Sequence, residues 1–551
     1  MPRSPRLTKV ASAGALLATL AACTSGSPAP GADASKPLPK ITGNPHVTLD
    51  VFAPQGTDGG LKNNAFTKVL EKKFNITLRW QTTTYDATSA KEKRQISLAS
   101  GDLPDLYLLV PWVDQFSQTE LLKLSRQGVI QPLDQLVKQY GPNIQKAFEA
   151  EPAYQRMATA PDKHIYGIPQ WVDCYHCSYY GKLWLNTTWL KKLGLKQPQT
   201  PEEFRDVLRA FKKDDPNGNG KADEIALSGN VTDSVINYLM NAFTYAPMAT
   251  TVDANPTLVL RDGKTDIQAN KDEWREGLKY IRSLYKEGLI DSGSFTQNGD
   301  ALRRLGDNAG AVRLGAVTTG NLAQYVTIGQ KDGRDKQYDP LPPLKGPDGT
   351  QYADYFSPSM PGATFVLTNK ATQTEQIQAM KMLDYIYTDK GRLDSTFGPQ
   401  GWTDAAAGET GTDGKPAEFK AVANPPKNGG WGPLAQYNNT ADFRTAQTAA
   451  KDIKSPEGYE RRLYEATKLY EPHAPKDLIF PFEETWIDPA KAQELATLQT
   501  NIGTFVQQSN VQFITGKKSL DADWDTYKAD LDKLGLKQFL KLYQEAYDAS
   551  Q

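Results

Sequence analysis

The most constraining stretch of the chain is "LYLLV", residues 106–110, five apolar residues without a polar break. A strand with one wet face alternates. A run like this one is expected to be covered on both faces, as in a parallel sheet with helices on each side. Its surroundings keep that rhythm. "HVTLDVF" places Val47, Leu49 and Val51 at period two, the next segment sets Phe66, Val69, Leu70 and Phe74 on one helical face, and "ITLRW" (76–80) reads as a second strand. "AVRLGAV" (311–317) and "TFVLT" (364–368) read as further strands. Strand, helix, strand in this order argues an α/β fold. At 551 residues the chain exceeds what one hydrophobic core supports, so at least two domains are expected.

Helix punctuation is clear in the middle of the chain. "TPEEF" offers Thr200 as N-cap, Pro201 as first helical residue and Glu203 at the capping-box position, with Phe204, Val207, Leu208 and Phe211 facing one way. A second helix runs through "EWREGLKYIRSLYKEG", with Trp274, Leu278, Ile281 and Tyr285 as its stripe and Gly288 as its stop. Thr372 and Glu375 cap another that runs to Tyr387, and roughly the last 65 residues are mostly helical by pattern. From about 398 to 434 the chain is rich in Gly, Pro and Asn. A loop that long is usually functional or disordered.

The N-terminus stands apart from the fold. Arg3, Arg6 and Lys9 precede "VASAGALLATL" (10–20), an apolar core too short to span a bilayer. "LAAC" then resembles the lipobox of bacterial lipoproteins, which implies a signal peptide over 1–22 and lipidation of the Cys23 thiol. The alternative is an ordinary signal peptide with a chance Cys. Residues 24–45, rich in Ser, Pro, Gly and Ala, read as a disordered tether. The expected location is extracytoplasmic, held to the outer face of the cell membrane by lipid. With 63 basic against 64 acidic residues, nothing suggests a nucleic-acid partner. Cys174 and Cys177 in "CYHC" are expected to pair as a disulfide in such a compartment. Zinc would need a second ligand pair beyond His176, and a redox role lacks a surrounding thioredoxin-like pattern.

Several pieces together resemble the lipoprotein solute-binding components of bacterial ABC importers, of the maltose-binding and alginate-oligosaccharide-binding kind. They are "SGDLPDLYLL", "HIYGIP", "LWLNTTWLKKLGLKQPQTPEEFRDVLRAFKKDDPNGNGKADEI", "LKYIRSLYKEGLID", "FITGKKSLDADWDTYKADLDKLGL" and "YQEAYD", in the usual order across nearly the whole chain. The resemblance implies a two-lobed periplasmic-binding-protein-like α/β fold of class II, with a hinge and a ligand cleft between the lobes. Lobe 1 would take 46–165 plus 355–435 and lobe 2 would take 166–354 plus 436–551. The implied partners are a small carbohydrate and the permease subunits of the importer, with the protein itself a monomer. The chain departs from the pattern at Thr319, at "FGPQGWT" (397–403) and at "CYHC", all near the implied cleft, so ligand identity does not carry over.

"DDPNGNGKADEI" (214–225) spaces oxygen ligands as calcium requires. Counting from Asp215, positions one, three, five and nine are Asp215, Asn217, Asn219 and Asp223, position seven offers the carbonyl of Lys221, and Gly220 permits the turn. An EF-hand would place Glu at twelve, where this chain has Ala226; Glu224 at position ten is the replacement, as in the alginate-binding relatives it resembles. The expected role is structural, with a metal-free Asx-rich turn as the alternative.

Sugar sites combine aromatic faces with polar groups that bond hydroxyls. The candidate ligand-binding residues are Gln55, Trp112, Trp171, Asp173, Tyr180, Trp402 and Trp431, whereas Trp189, Trp274 and Trp524 sit on helical patterns and read as core. A secreted glycoside-active enzyme is the rival class. The chain has no H-E-x-x-H, G-x-S-x-G or Walker motif, and no catalytic residue is assigned. An importer receptor for a peptide, lipid precursor or other solute is the third reading.

Overall fold

The computed structural model describes residues 37–38, 41, 43–56, 60–247, 258–357, 359–422 and 426–551. The leader, Cys23 and most of the tether lie outside the described residues. Among the described residues twelve strands follow in order: β1 Val47–Pro54, β2 Ile76–Thr83, β3 Leu106–Leu108, β4 Leu183–Asn186, β5 Ile225–Ser228, β6 Leu258–Arg261, β7 Lys264–Ile267, β8 Leu314–Thr318, β9 Tyr338–Leu341, β10 Phe365–Leu367, β11 Trp402–Asp404 and β12 Phe419–Ala421.

The first sheet has the order β10-β3-β1-β2. β1 is parallel to both neighbours, in register with β2 from Val47↔Ile76 to Pro54↔Thr83, and β10 closes the sheet antiparallel to β3. β1 is buried along almost its whole length, as a central strand must be. The apolar run at 106–110 outlasts its strand. After Leu108 the backbone leaves the ladder, with Leu109 N donating to Thr364 O and Val110 bridging to Asp114. The second sheet has the order β5-β8-β4-β9, with β5 parallel to β8 and β4 antiparallel to both β8 and β9. β8 starts at Leu314, later than the sequence pattern, and Arg313 O accepts from Ile225 N at the strand's entrance.

The helices form where the punctuation placed them. Thr200 and Glu203 make a reciprocal capping box on helix Pro201–Lys213, which buries Phe204, Val207, Leu208 and Phe211. Thr372 and Glu375 do the same for helix Gln373–Ile386. Helix Asp272–Lys286 buries Trp274, Leu278 and Ile281, and Gly288 follows it at φ 67°, the left-handed conformation that ends a helix at least cost for glycine. Helices Ala492–Thr515, Trp524–Lys533 and Leu536–Ser550 make up the C-terminus.

Of four hydrophobic clusters among the described residues, the two largest are separate cores. One draws on residues between 47 and 168, 365 and 387, and 431 and 437; the other on 179 to 353 and 470 to 543, and Trp189, Trp274 and Trp524 are buried in it. This is a two-lobed α/β architecture, and the chain passes between the cores near 169–178, 354–364 and 438–469. The Gly-rich stretch at 398–434 is not one open loop: it carries the β11–β12 hairpin and a short 3-10 turn, Gly432–Ala435. Among the described residues no helix is long and apolar enough to cross a membrane.

Candidate functional site

In open α/β sheets, ligands bind beyond the carboxyl ends of the parallel strands. On the first lobe those ends carry Gln55 and Tyr85. Gln55 N donates to Thr83 O, and its side-chain Oε1 accepts from Leu61 N at 2.9 Å, so the residue braces its own loop. Tyr85 is 38% exposed and flanks Gly56, where a Cβ would sit 3.5 Å from its ring. Trp112, beyond β3, is 50% exposed.

On the second lobe, β8 runs out into Thr319 and Gly320. The Tyr180 ring lies so close on Gly320 that a Cβ there would clash at 2.3 Å, and the Tyr180 hydroxyl accepts from Gln324. Asp233 follows β5. Its Oδ2 accepts from Asn230 Nδ2 at 2.8 Å while Oδ1 is buried with no partner, and burial pushes the carboxyl up to about 6.

At the crossings lies a cavity of about 240 Å³ lined by Asp173, His176, Phe397, Arg444, Glu460 and Tyr464, among others, but by none of the strand-end residues just described. Asp173 is positioned by the backbone: its N donates to Asn439 O at 2.8 Å and its Oδ2 accepts from Ala441 N at 3.2 Å. Arg444 sits on the short helix Ala441–Thr445, capped by Thr440. Among the described residues its guanidinium donates no hydrogen bond. Burial lowers its pKa, and the charges of Glu460 and Asp173 oppose that. Burial raises both Glu460 and Asp173, with Arg444 pulling each back. The apolar wall is a ring stack in which Phe419 lies 5.0 Å from Phe443 at 21° and 5.7 Å from Phe397. Tyr464 packs 5.0 Å from Tyr175. Cys174 and Cys177 are joined by a disulfide on the same wall. His176 is driven down to about 3 by burial, then by the charges of Arg444 and Lys182, so its imidazole is neutral. The arrangement is an unpaired guanidinium between two carboxylates beside aromatic faces. It supplies donors and acceptors for adjacent hydroxyls and flat surfaces for C–H faces.

A larger cavity of about 590 Å³ lies between Lys91 and Gln118 of the first lobe and Phe480, Gln493 and Tyr543 of the second. It holds none of the seven residues singled out from sequence, so the smaller chamber is the candidate site.

Of those seven, Asp173 lines the chamber, Tyr180 stands on the second-lobe rim, and Gln55 and Trp112 on the first. Trp402 is half-buried on β11, its Nε1 donating to Asp394 Oδ1 at 3.0 Å and Lys390 Nζ lying 5.5 Å from its ring. Trp171 stacks on Tyr154 at 5.2 Å at the edge of the first core. Trp431 is a correction: it is 3% exposed, donates from Nε1 to Thr67 Oγ1 at 2.9 Å and meets Phe66 and Trp80 edge-on, so it is core. Its glycine-rich flanks suggested a loop, but they serve close approach, Gly430 lying against the backbone of Ser395 and Thr396. Arg444, Glu460, Asp233 and Tyr85 were missed. Only Thr440, a good N-cap, hinted at the element that carries Arg444.

The 214–225 loop is wound around its own acids. Asp215, at φ 44°, accepts from Gly218 N and Asn219 N on Oδ1 and from Gly220 N on Oδ2. Asn217 and Asn219 accept from Asn219 N and Lys221 N, and both amide nitrogens donate to Asp223 Oδ1 at 3.1 and 3.0 Å. Glu224 differs: both of its carboxylate oxygens are buried without a partner, and its pKa is raised by burial and then by Asp215 and Asp223. A buried, unpaired carboxylate beside two others fits a hard cation.

A family profile described as bacterial extracellular solute-binding protein matches residues 53–393. The fructooligosaccharide ABC transporter substrate-binding protein FusA of Streptococcus pneumoniae is 29% identical over 506 residues, covering 88% of this chain and 86% of its own. The solved structure of FusA in complex with kestose matches with a TM-score of 0.69 at 25% identity, covering 91% of this chain and 99% of that one. An EF-hand mutant of FusA with fructo-nystose matches at 0.68, 25% identity and the same coverage. An HMO-binding ABC-transporter-associated solute-binding protein of Bifidobacterium longum infantis shares the fold, with a TM-score of 0.75 at 23% identity over 91% of this chain and 98% of its own.

Proposed function

The chain belongs to the bacterial extracellular solute-binding proteins, and from that premise we propose that it captures an oligosaccharide outside the membrane by closing its lobes and delivers it to an ABC importer. The observation that carries this reading is Arg444, unpaired between Asp173 and Glu460 against the Phe397–Phe419–Phe443 wall. The half-buried guanidinium keeps its donors open to the acceptors of a ligand. Two acids and one base leave the chamber net negative. It therefore suits an uncharged sugar, and the similarity to FusA points to fructooligosaccharides. A uronate chain would bring further carboxylates against Asp173 and Glu460. The ligand spans from the chamber to the rims, where Gln55, Tyr85, Trp112, Tyr180 and Trp402 complete the cleft. The lobes are taken as 46–165 plus 355–435 and 166–354 plus 436–551, with the hinge at the crossings.

We extend the proposal to three further features. Asp215, Asn217, Asn219, the Lys221 carbonyl, Asp223 and Glu224 hold a structural Ca2+, supported by the unpaired Glu224 carboxylate. Cys23 carries the lipid anchor and 24–45 the tether, read from the sequence. The protein works as a monomer with permease subunits as its partners.

Isothermal titration of the tether-free protein with kestose, nystose and a uronate oligomer, with product analysis, tests the reading. Kestose or nystose binding at micromolar or lower Kd and recovered intact is the expected result. Binding of the uronate oligomer alone would overturn the sugar class, and cleavage of any of the sugars would overturn the receptor.

A further inference from the structure

The "CYHC" segment does more than bridge two sulfurs. Cys174 Sγ lies 3.8 Å from His176 Nδ1 and 3.7 Å from Nε2. The ligand atoms of Cys174, His176 and Cys177 all fall within 4.8 Å of one another. A fourth group stands beside them from a distant part of the chain, Glu460, whose Oε2 is 3.9 Å from His176 Nδ1. Helix Tyr175–Ser178 presents the histidine, and helix Tyr459–Lys468 presents the glutamate.

We propose that Cys174, His176, Cys177 and Glu460 form a zinc site that exists only when the disulfide is reduced. Zinc takes four ligands in a tetrahedron, with Zn–S of about 2.3 Å and Zn–N of about 2.0 Å. Those lengths place sulfur and nitrogen about 3.5 Å apart, and two thiolates about 3.8 Å apart. The Cys174–His176 separation already matches such an edge, whereas Glu460, at 3.9 Å from His176 Nδ1 and outside the cluster of the other three ligand atoms, must swing inward. Two changes complete the site: the S–S bond opens on reduction, and the Glu460 side chain closes in. A dithiol supplies the two electrons and two protons and is itself oxidised to a cyclic disulfide. Zn2+ then displaces the two thiol protons to solvent as two Zn–S bonds form. Cys177 is half-buried rather than sealed, so its sulfur is the one a reductant reaches.

The site shares its wall with the sugar chamber, since His176 and Glu460 line both. Zinc engages the Glu460 carboxylate that otherwise faces Arg444, so metal and sugar compete.

The test measures zinc retained after gel filtration of oxidised and dithiol-reduced protein, with cobalt(II) spectra alongside. One zinc per chain, with a thiolate-to-cobalt charge-transfer band, is expected in the reduced protein and not in the oxidised one. Cys177→Ser removes both, and His176→Ala and Glu460→Gln weaken zinc binding at least tenfold. The cobalt band separates thiolate ligation from metal held by the acidic 214–225 loop. Because Cys177→Ser loses the disulfide as well, Glu460→Gln, which leaves it intact, guards against a folding artefact. Reduced wild-type protein that retains no more zinc than the oxidised form, or retains it without the charge-transfer band, would overturn the site.

Discussion

The 214–225 loop and the crossing chamber both gather charge in a small space, and they handle it in opposite ways. In the loop, Asp215 and Asp223 are saturated by neighbours a few residues away, and the buried carboxylate oxygens of Glu224 are left unpaired. In the chamber, Arg444, Asp173 and Glu460 come from three separate segments and influence one another through charge more than through hydrogen bonds. A cluster closed on itself stabilises a fold. A cluster left open awaits a ligand. The first should therefore respond to perturbation in stability, and the second in binding.

Arg444→Ala carries the largest expected effect. Hydrogen bonds to a charged group contribute about 1.5–3 kcal/mol each, so loss of the guanidinium should weaken sugar binding by about 3 kcal/mol, on the order of 100-fold. The melting temperature of the free protein should barely move, because Arg444 holds nothing together there. Arg444→Lys should rescue little, since a point charge does not reproduce the planar fork. Titration calorimetry beside a thermal melt reads both quantities. An unchanged Kd would break the comparison on the chamber side.

Calcium removal tests the other side. A site filled at 100 times its Kd contributes about 2.7 kcal/mol, which for a lobe of about 300 residues corresponds to roughly 4 °C in Tm. EGTA should lower Tm by that amount and leave the sugar Kd within about twofold. Glu224→Gln should reproduce most of the loss without chelator. A Tm indifferent to EGTA would make the loop a metal-free Asx turn.

Asp233 sharpens the contrast from the second-lobe rim. Its folded pKa, about 6, lies above the ordinary carboxyl value because burial disfavours the charged form. A raised carboxyl contributes stability that is present below the unfolded pKa and is lost as pH climbs through the folded one. The wild-type protein should thus lose on the order of 2–3 kcal/mol between pH 4 and pH 7 that Asp233→Asn does not lose. Urea melts of both proteins across that range give the difference. Parallel pH profiles would show that the carboxyl is solvated.

The same contrast explains what the sequence revealed. The capping boxes at Thr200 and Thr372, the apolar stripe of helix Pro201–Lys213 and the oxygen spacing of the loop are all local, written within a dozen residues. They were legible because the physics that sets them is local. The α/β class was legible in the strand–helix–strand periodicity, but its division into two hinged lobes came through the ordered set of family pieces. The chamber was nearly invisible. Arg444 lies on a five-residue helix with no periodicity to read, and Glu460 looks like one more solvated acid until the crossings bring 173, 444 and 460 together. Trp431 misled because glycine-rich flanks mark a close backbone approach as readily as a surface loop.

Trp402 and Trp431 give the smallest effect and the finest discrimination. Both were chosen for the same reason, an aromatic ring among glycines, yet one ring is part-exposed on β11 and the other is enclosed by Phe66 and Trp80. Trp402 is part-exposed: its Nε1 is anchored on Asp394, and Lys390 stands over the ring. Stacking of its exposed part on a sugar ring is of the same order as an aromatic pair, about 1 kcal/mol, so Trp402→Ala should weaken binding by roughly fivefold with little change in Tm. Trp402→Phe should recover most of that, since the flat surface remains. Trp431→Ala should leave the Kd of the folded fraction alone while lowering Tm sharply, as burial of a large ring predicts. The pair is informative only in opposition. If Trp402→Ala lowers Tm and spares Kd, its contact with Asp394 is structural and the cleft ends at the chamber.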